Sequence, residues 1–332
     1  MAGLENVKDG ALGVSKRVSS DVVLATTSLA VYVCTFRRNG PLKRLLDSLS
    51  KAAAVVQPGI EVAVVVVDDN SDGRAREVVE NYDASGFVRG LHYRHSGAQN
   101  ISKARNMGIE ACLELGDWVG MVDDDEVVVE NWIQELFVVQ NRVDADAVTG
   151  PVLLRYPEGS PSWLEDEPFG SITEAELRPD GSTVPVCSTG NSIIRTSWLN
   201  DNADIRFRSD LGTLGGEDMV FYGAAVSAGL RAHYAVEAVA YGEEPPERST
   251  FSAMMRRCYW MGNTECITNL SSGSASRFRI VLRAKKRMLL AVLRPAKQLA
   301  AQKPAQFRFA GAKLMQGFGM IVGVLGVKVE HQ

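Results

Sequence analysis

The sequence of 332 residues predicts an α/β fold with a doubly wound, mostly parallel sheet. Two observations lead to this prediction. Over roughly the first 150 residues, short apolar runs alternate with stretches of helical periodicity. The apolar runs contain few polar residues, which is typical of strands buried on both faces of a parallel sheet. The composition, 45% hydrophobic and 23% charged, is that of a globular protein with ample core.

The elements of the first half follow from this pattern in order. The first strand begins at Leu29 and ends before the turn at Arg37, and Pro41 is placed to start a helix. A second buried strand follows at residues 62–67. The pattern then predicts a helix over 74–82, a strand near 88–93, a helix over 100–115, a strand over 118–122 and a helix over 131–140.

The second half is less regular. We expect a strand over 147–154, a surface excursion over 156–183 and two apolar runs within 184–195. Residues 201–216 read as a loop that precedes a helix over 217–228. A proline-containing acidic break at 243–247 is followed by a helix over about 249–270, and we interpret residues 1–27 as a mobile arm.

Charge and cysteine content limit the classes of function. Residues 277–332 carry twelve Lys or Arg and one Glu, so the net charge of −4 divides into +11 for this tail and −15 for the remainder. An acidic body argues against a nucleic-acid ligand. The five cysteines lack metal-ligand spacing, and the N-terminus lacks the apolar run of a signal peptide. We therefore expect reduced thiols and a cytoplasmic location.

Carboxylates follow two of the early strands. Asp68 and Asp69 come after the second strand, and three consecutive aspartates, Asp123 to Asp125, come after the fourth predicted strand. Adjacent like charges repel, so such a run persists in a fold when a cation offsets it, although a solvated acidic turn is the plainer alternative. In parallel sheets, ligands bind beyond the carboxyl ends of strands. Carboxylates there can hold a nucleotide's base or ribose and a divalent ion on its diphosphate.

Two further stretches carry candidate chemistry. Arg105, near the start of its helix, could hold a phosphate or ribose, or could be a surface charge. In Gly215-Gly216-Glu217-Asp218, a carboxylate in the first turn of a helix is favoured as an anion by roughly 0.3 to 1 kcal/mol. The plain interpretation is helix capping. The functional interpretation is that Asp218 acts as a general base on an acceptor hydroxyl. No P-loop and no Rossmann glycine motif is present, so the metal has to hold the phosphates.

These motifs together resemble those of family 2 glycosyltransferases with the GT-A fold, and the resemblance covers about residues 29–265. The surroundings of Thr189-Gly190-Asn191 and Arg256-Arg257 resemble more narrowly the succinoglycan-type exopolysaccharide glucosyltransferases. The matching motifs, in chain order, are Val33-Cys34-Thr35-Phe36-Arg37-Arg38, Val67-Asp68-Asp69-Asn70-Ser71, Ala104-Arg105-Asn106-Met107-Gly108, Val122-Asp123-Asp124-Asp125-Glu126 and Gly215-Gly216-Glu217-Asp218.

The resemblance implies a role for each matched residue. Asp123 and Asp125 would form a DxD pair, with Asp125 touching Mg²⁺ or Mn²⁺ most directly. Asp218 would be the base of an inverting transfer, and Glu217 would orient the acceptor. The acceptor would also meet Gly190, Asn191 and Trp260. Asp69 would face uracil, and Arg105 would lie near the ribose and phosphates. The other residues expected around the nucleotide sugar are Thr35, Phe36, Arg37 and Asp124.

The chain departs from the family pattern after the last core strand. Related enzymes often have a histidine there as a further metal ligand, whereas this sequence has Tyr241 followed by Glu243 and Glu244. Either glutamate could supply an oxygen ligand instead, or both could be ordinary loop acids. The QxxRW signature of processive synthases is also absent, so we expect a single transfer per encounter.

The resemblance and the tail together predict an organisation and a function. We expect a glycosyltransferase domain at 28–270, with a nucleotide-binding half at 28–150 and an acceptor half at 151–270, followed by a basic amphipathic tail at 271–332. The predicted reaction moves a hexose, glucose, from a UDP-sugar to a saccharide linked to a polyprenyl diphosphate. The tail would make peripheral contact with the inner face of the cell membrane, or would pack on the acidic body.

Other functions are compatible with parts of the sequence. The acceptor could be a soluble natural product instead of a lipid-linked saccharide. A sugar nucleotidyltransferase also uses a sheet and acidic metal ligands, but Arg37-Arg38-Asn39-Gly40 is a poor triphosphate loop. A non-catalytic nucleotide-sugar-binding protein would have no need of Asp125 and Asp218.

Overall fold

The computed structural model describes residues 26–167 and 177–330. Most of the predicted N-terminal arm and part of the predicted surface excursion lie outside these residues. Ten strands form two sheets in this part of the chain. The strands are β1 Thr27–Thr35, β2 Ile60–Asp68, β3 Leu91–His95, β4 Trp118–Val122, β5 Glu126–Val128, β6 Ala147–Thr149, β7 Val152–Arg155, β8 Asn191–Arg195, β9 Ala232–Tyr234 and β10 Ala240–Glu243.

The larger sheet has the order β3-β2-β1-β4-β8-β6-β9. Strands β3, β2, β1 and β4 are parallel, and β8 enters antiparallel to both β4 and β6. Successive residues of β1 face two different cores: Val31 packs with leucines of the first helix, and Tyr32 packs with Ala104 on the opposite side. The predicted mostly parallel α/β sheet with helices on both faces is confirmed.

The sequence did not predict the second sheet, which has the order β5-β10-β7. The prediction of one strand over 147–154 was wrong, because Gly150 and Pro151 divide this run between the two sheets. The backbone passes so close to the neighbouring chain segment that a Cβ at Gly150 would lie 2.0 Å from the carbonyl oxygen of Ala238. Residues on either side of this break therefore hydrogen-bond to different partners.

The helices occur largely where the apolar periodicity placed them. The predicted helix over 74–82 is shorter than expected and spans Arg76–Glu80, because the buried Asp68 carboxylate accepts the N–H of Ala75 at 2.7 Å and holds that residue in the preceding turn. The helices are α1 Asn39–Val55, α2 Arg76–Glu80, α3 Ile101–Leu113, α4 Trp132–Val143, α5 Trp163–Asp166, α6 Thr196–Asp201, α7 Glu217–Ser227, α8 Phe251–Ser271, α9 Arg277–Ala300 and α10 Phe307–Val324.

The last three helices form a layer that continues from the sheet domain. Helix α10 packs along both α8 and α9. The Arg287 guanidinium on α9 reaches Glu265 on α8 at 2.7 Å, and Asn263 on α8 donates to the carbonyl oxygen of Val327 at 2.9 Å. Within the described ranges, no helix is both long enough and apolar enough to cross a membrane.

Candidate active site

The candidate site lies at the carboxyl edge of the larger sheet. Strands β2, β1 and β4 are neighbours, and they end at Asp68, Thr35 and Val122. Because they are parallel, the residues that follow them meet at one edge, as the sequence predicted. Thr35 donates its hydroxyl hydrogen bond to Asp124 at 2.8 Å, which joins the end of β1 to the acidic run after β4.

The arginine that meets the aspartates is Arg38. Its Nη1 atom lies 2.9 Å from Asp124 Oδ1 and 2.7 Å from Asp125 Oδ2. The guanidinium of Arg37, predicted near the nucleotide sugar, lies 4.8 Å from the centre of the exposed Phe36 ring. Arg37 has a φ of 60°, and its backbone N–H donates to Asn70 Oδ1. Arg38, to which the sequence analysis gave no role, therefore pairs with the acidic run, and the predicted contact of Arg37 with the nucleotide sugar stays a prediction.

The three aspartates have different surroundings. Asp124 is buried, and burial raises its pKa from an ordinary 3.8 to about 6 even though Arg38 opposes the shift. Asp125 is partly exposed, and burial likewise raises its pKa. Asp123 is the most open, with 42% of its side chain exposed. Asp124 thus belongs to the supporting structure, and Asp123 and Asp125 are the pair that reaches solvent.

Arg105 connects this edge to the second half of the chain. The side chain is buried, and its guanidinium contacts Asp123 Oδ1 at 3.1 Å and the Glu217 carboxylate at the start of α7. Burial lowers the pKa of Arg105, but the charges of Asp123 and Glu217 outweigh this effect and raise it above its usual value. The guanidinium also lies 5.6 Å from the centre of the Phe207 ring. One buried cation therefore joins α3, the end of β4 and the start of α7.

Asp218 follows Glu217 in the first turn of α7. Gly215 and Gly216 precede this turn with φ values of 82° and 80°, a conformation that glycine adopts without a Cβ clash. The Asp218 carboxylate is half-buried and accepts the N–H of Met219 at 2.7 Å. The Glu217 carboxylate is buried, and its Oε2 atom makes no hydrogen bond within the described part of the chain. In this turn, the Glu217 carboxylate is therefore buried against Arg105, and the Asp218 carboxylate is the more open of the two.

Trp260 supports the same turn from α8. Its indole Nε1 donates to the carbonyl oxygen of Leu214 at 3.0 Å, and the Thr264 hydroxyl donates to the same oxygen at 3.0 Å. A Cβ on Gly215 would lie 2.3 Å from the indole ring. Trp260 therefore lies against the residues that precede the candidate base, and its predicted contact with an acceptor stays a prediction.

The carboxylate of Asp69 holds the loop that leads into α3. It accepts hydrogen bonds from the Ser96 hydroxyl at 2.8 Å, the Ala98 N–H at 3.1 Å and the Asn100 N–H at 2.6 Å. Asp69 is only 4% exposed. A contact with uracil, which the resemblance implied, would come in addition to these three bonds.

Asn191 and Gly190, predicted to contact the acceptor, are buried in the core. The Asn191 side chain is fully buried, accepts from the Trp132 indole at 2.8 Å and donates to the carbonyl oxygens of Pro151 and Ala238. Gly190 is also buried, and a Cβ there would lie 2.4 Å from a carboxylate oxygen of the glutamate that begins β5. The Asn191 amide therefore joins strand ends of both sheets from within the core, and the predicted contact of these two residues with the acceptor stays a prediction.

The donor set at this edge suits a hard divalent cation. Asp123 and Asp125 offer two accessible carboxylates, and Mg²⁺ is commonly held by one or two carboxylates with substrate phosphates and water completing its shell. No group of three or more His, Cys, Asp or Glu is arranged around a common metal position in residues 26–167 and 177–330. Of the two glutamates suggested as extra ligands, Glu243 pairs with Arg44 and Glu244 with Arg257.

Asp124→Asn tests the assignment of the pKa of about 6. A carboxyl whose pKa is raised on folding keeps its proton longer in the folded state, so its contribution to the free energy of unfolding falls as the pH rises from about 4 to about 6. The Asn variant does not suffer this loss. Its free energy of unfolding should therefore rise relative to that of the wild type by up to roughly 3 kcal/mol across the same pH interval. Urea denaturation across this range measures the difference. Asp210→Asn should show the opposite sign, because Arg208 lowers the pKa of Asp210.

Asn191→Ala should destabilise the fold by about 3 kcal/mol, because it leaves the Trp132 indole and two carbonyl oxygens without their buried partner. Chemical denaturation measures the loss. Asn81→Ala, at an exposed position after α2, is the matched control and should cost less than about 0.5 kcal/mol. Unchanged stability with a raised acceptor KM would instead support an acceptor contact.

The sequence is similar to a known protein family and to named relatives. A family model described as glycosyl transferase family 2 matches residues 30–202. The succinoglycan biosynthesis protein ExoM of Rhizobium meliloti (strain 1021) is 28% identical over 315 residues, which cover 92% of this chain and 96% of that protein. A glucosyl-dolichyl phosphate glucuronosyltransferase of Haloferax volcanii is 26% identical over 322 residues, with 90% and 96% coverage.

Solved structures agree on the fold. The mannosyltransferase PcManGT from Pyrobaculum calidifontis, in complex with GDP-Man and Mn²⁺, superposes with a TM-score of 0.58 at 15% identity, covering 91% of this chain and 90% of that one. Residues 1–349 of S. aureus TarS, in complex with UDP, give a TM-score of 0.52 at 19% identity, covering 89% and 90%. The fold shared with these proteins is the GT-A fold, as the resemblance implied.

Proposed function

The chain belongs to glycosyl transferase family 2, and we propose that it transfers a hexose, glucose, from a UDP-sugar to a saccharide hydroxyl with inversion at the anomeric carbon. The observation that carries this proposal is the buried contact of Arg105 with both Asp123 and Glu217. This contact fixes the start of α7, and with it Asp218, against the edge of the sheet where carboxylates collect. A donor bound at this edge would therefore lie beside Asp218.

The donor's position follows from the accessible carboxylates. Asp123 and Asp125 would hold Mg²⁺ or Mn²⁺ for the diphosphate, and the cation would offset the negative charge of the leaving UDP. The Arg38 and Arg105 guanidiniums on either side of the acidic run would add positive charge near the phosphates. The residues that follow β1 lie at the same edge, where the nucleoside would bind.

Asp218 would act on the acceptor. Its carboxylate lies in the first turn of α7 and is more open than the buried carboxylate of Glu217. As the acceptor oxygen attacks the anomeric carbon, Asp218 would take the hydroxyl proton, and the bond from that carbon to the diphosphate oxygen would break. One displacement needs no covalent enzyme intermediate. Glu217 would hold Arg105, and its buried Oε2 atom would be available to a hydroxyl of the acceptor.

The named activities of relatives support the choice of substrates. TarS has been solved with UDP and with UDP-GlcNAc, and the Haloferax volcanii relative is named for acting on glucosyl-dolichyl phosphate. The ExoM relative is named for succinoglycan biosynthesis. We therefore propose a UDP-sugar donor and a lipid-linked saccharide acceptor at the inner face of the cell membrane, with a soluble natural product as the alternative acceptor. A screen of UDP- and GDP-sugars by nucleotide release would identify the donor.

Asp218→Asn should abolish transfer, with kcat lowered by at least roughly 100-fold, because an amide cannot accept the hydroxyl proton. UDP binding, measured by calorimetry, should stay within about 3-fold of wild type, since in this proposal Asp123 and Asp125 hold the donor and Asp218 acts on the acceptor hydroxyl. Asp210→Asn, an acid-to-amide change in the preceding segment, is the matched control and should keep full activity. Full activity in Asp218→Asn would exclude Asp218 as the base.

Removing divalent ions should stop UDP release. With Asp123 and Asp125 as its protein ligands, the cation should restore activity when Mg²⁺ or Mn²⁺ is added back to chelator-treated protein. Asp125→Asn should need a higher metal concentration for half-maximal rate, which a titration of rate against metal measures. Undiminished turnover in excess chelator would contradict the metal assignment.

A further inference from the structure

Helix α9 has two faces of different character. One face is buried: Ile280 and Ala284 pack with Met320 of α10 and Cys266 of α8 in one apolar cluster. Pro295 continues this buried stripe along the helix. The contact between α9 and the rest of the protein therefore uses these small and apolar residues, and the tail packs on the body through this side.

The opposite side of α9 is apolar as well, although it faces solvent. The side chains on this outer face are between 50% and 71% exposed. At roughly 100° per residue they fall within an arc of about 120°, so they form one continuous stripe. Large apolar side chains scattered singly on a surface need no explanation, but a continuous stripe marks a binding surface. The outer face of α9 consists of Phe278, Leu282, Leu289, Val292, Leu293 and Leu299.

Basic residues border this stripe. At the same angle per residue, Arg279, Arg283, Lys286 and Lys297 are exposed along one edge of it, together with Leu290, and Lys285 lies within it. The sequence has no Asp or Glu from residue 277 to residue 329. A symmetric contact between two copies of α9 would bring these cations together, which disfavours self-association through this face. An apolar stripe with a cationic border instead complements a surface that offers acyl chains beneath anionic headgroups.

We propose that the outer face of α9 docks on an anionic lipid surface. The helix lies in the plane of the interface, with the six apolar side chains among the acyl chains and the four bordering cations at the lipid phosphates. The reason for such docking rests on the proposed function, because a lipid-linked acceptor is presented at a lipid surface.

The packing relates this surface to the candidate site. Arg287 on α9 pairs with Glu265 on α8, and α8 carries Trp260 and Thr264, which hold the turn before Asp218. Docking through α9 thus fixes the orientation of the helix that supports the acceptor side of the site. A saccharide attached to a lipid in that surface would meet the protein in a limited range of orientations.

Cosedimentation of the purified full-length protein with vesicles tests the proposal. Vesicles of phosphatidylcholine containing roughly one-third phosphatidylglycerol should bind the protein, and pure phosphatidylcholine should bind it much less. Leu289→Glu with Leu293→Glu should reduce binding to background. Lys286→Gln with Lys297→Gln should weaken binding to the anionic vesicles roughly 30-fold, which corresponds to about 1 kcal/mol for each basic residue.

Matched controls separate docking from folding and from general charge. Lys43→Gln with Lys51→Gln removes two exposed lysines from α1, and Val88→Glu adds an acid at a position that is 76% exposed. Both should bind vesicles as the wild type does, and every variant should keep its thermal unfolding midpoint. Binding is measured without donor or acceptor, so a failure of glycosyl transfer would leave this result unaffected.

Three results would overturn the proposal. The first is equal binding of wild type to both kinds of vesicle. The second is wild-type binding by the α9 variants. The third is a stable dimer in sedimentation equilibrium that Leu289→Glu with Leu293→Glu converts to monomer while the wild type binds no vesicles, which would assign this face to a second copy of the chain.

Discussion

The site depends on one buried cation. A guanidinium taken out of water carries a cost of several kcal/mol unless opposite charges offset it, and Arg105 obtains that compensation from Asp123 and Glu217. Each of these three groups belongs to a different element. The end of β4, helix α3 and the start of α7 therefore cannot separate without leaving a buried charge unpaired. Residues far apart in sequence are held together by electrostatics as well as by the sheet.

Other side chains keep this cation in place. Asp69 binds the loop before α3 through three hydrogen bonds, and the Asn106 side chain exchanges hydrogen bonds with the backbone of Phe207, whose ring lies against Arg105. On the other side of α3, Gly108 leaves room for the ring of a β1 tyrosine, which a Cβ would approach to 2.6 Å. Several residues of the matched motifs thus act by positioning Arg105.

The sequence predicted the carboxyl edge because local rules determine it. Continuous apolar runs identify buried parallel strands, and parallel strands bring the residues that follow them to one edge. The pairing of Arg38 with the acidic run was not predicted, because the backbone at Arg37 has a positive φ that nothing in the local sequence indicates. The core hydrogen bonds of Asn191 were not predicted, because its partners on α4 and after β6 and β9 are 40 to 59 residues away. The second sheet was missed because its strands have only three or four residues.

Helix α8 contacts both the turn before α7 and the helices α9 and α10 of the tail. Trp260 and Thr264 face the turn before α7, while Cys266 faces α9 and α10. The C-terminal region is consequently not an interchangeable module. A chimera that received the tail of a relative would also need matching residues on the side of α8 that faces the tail. Because the same helix carries Trp260 and Thr264, a shift of α8 caused by a mismatched tail would also displace the turn before α7.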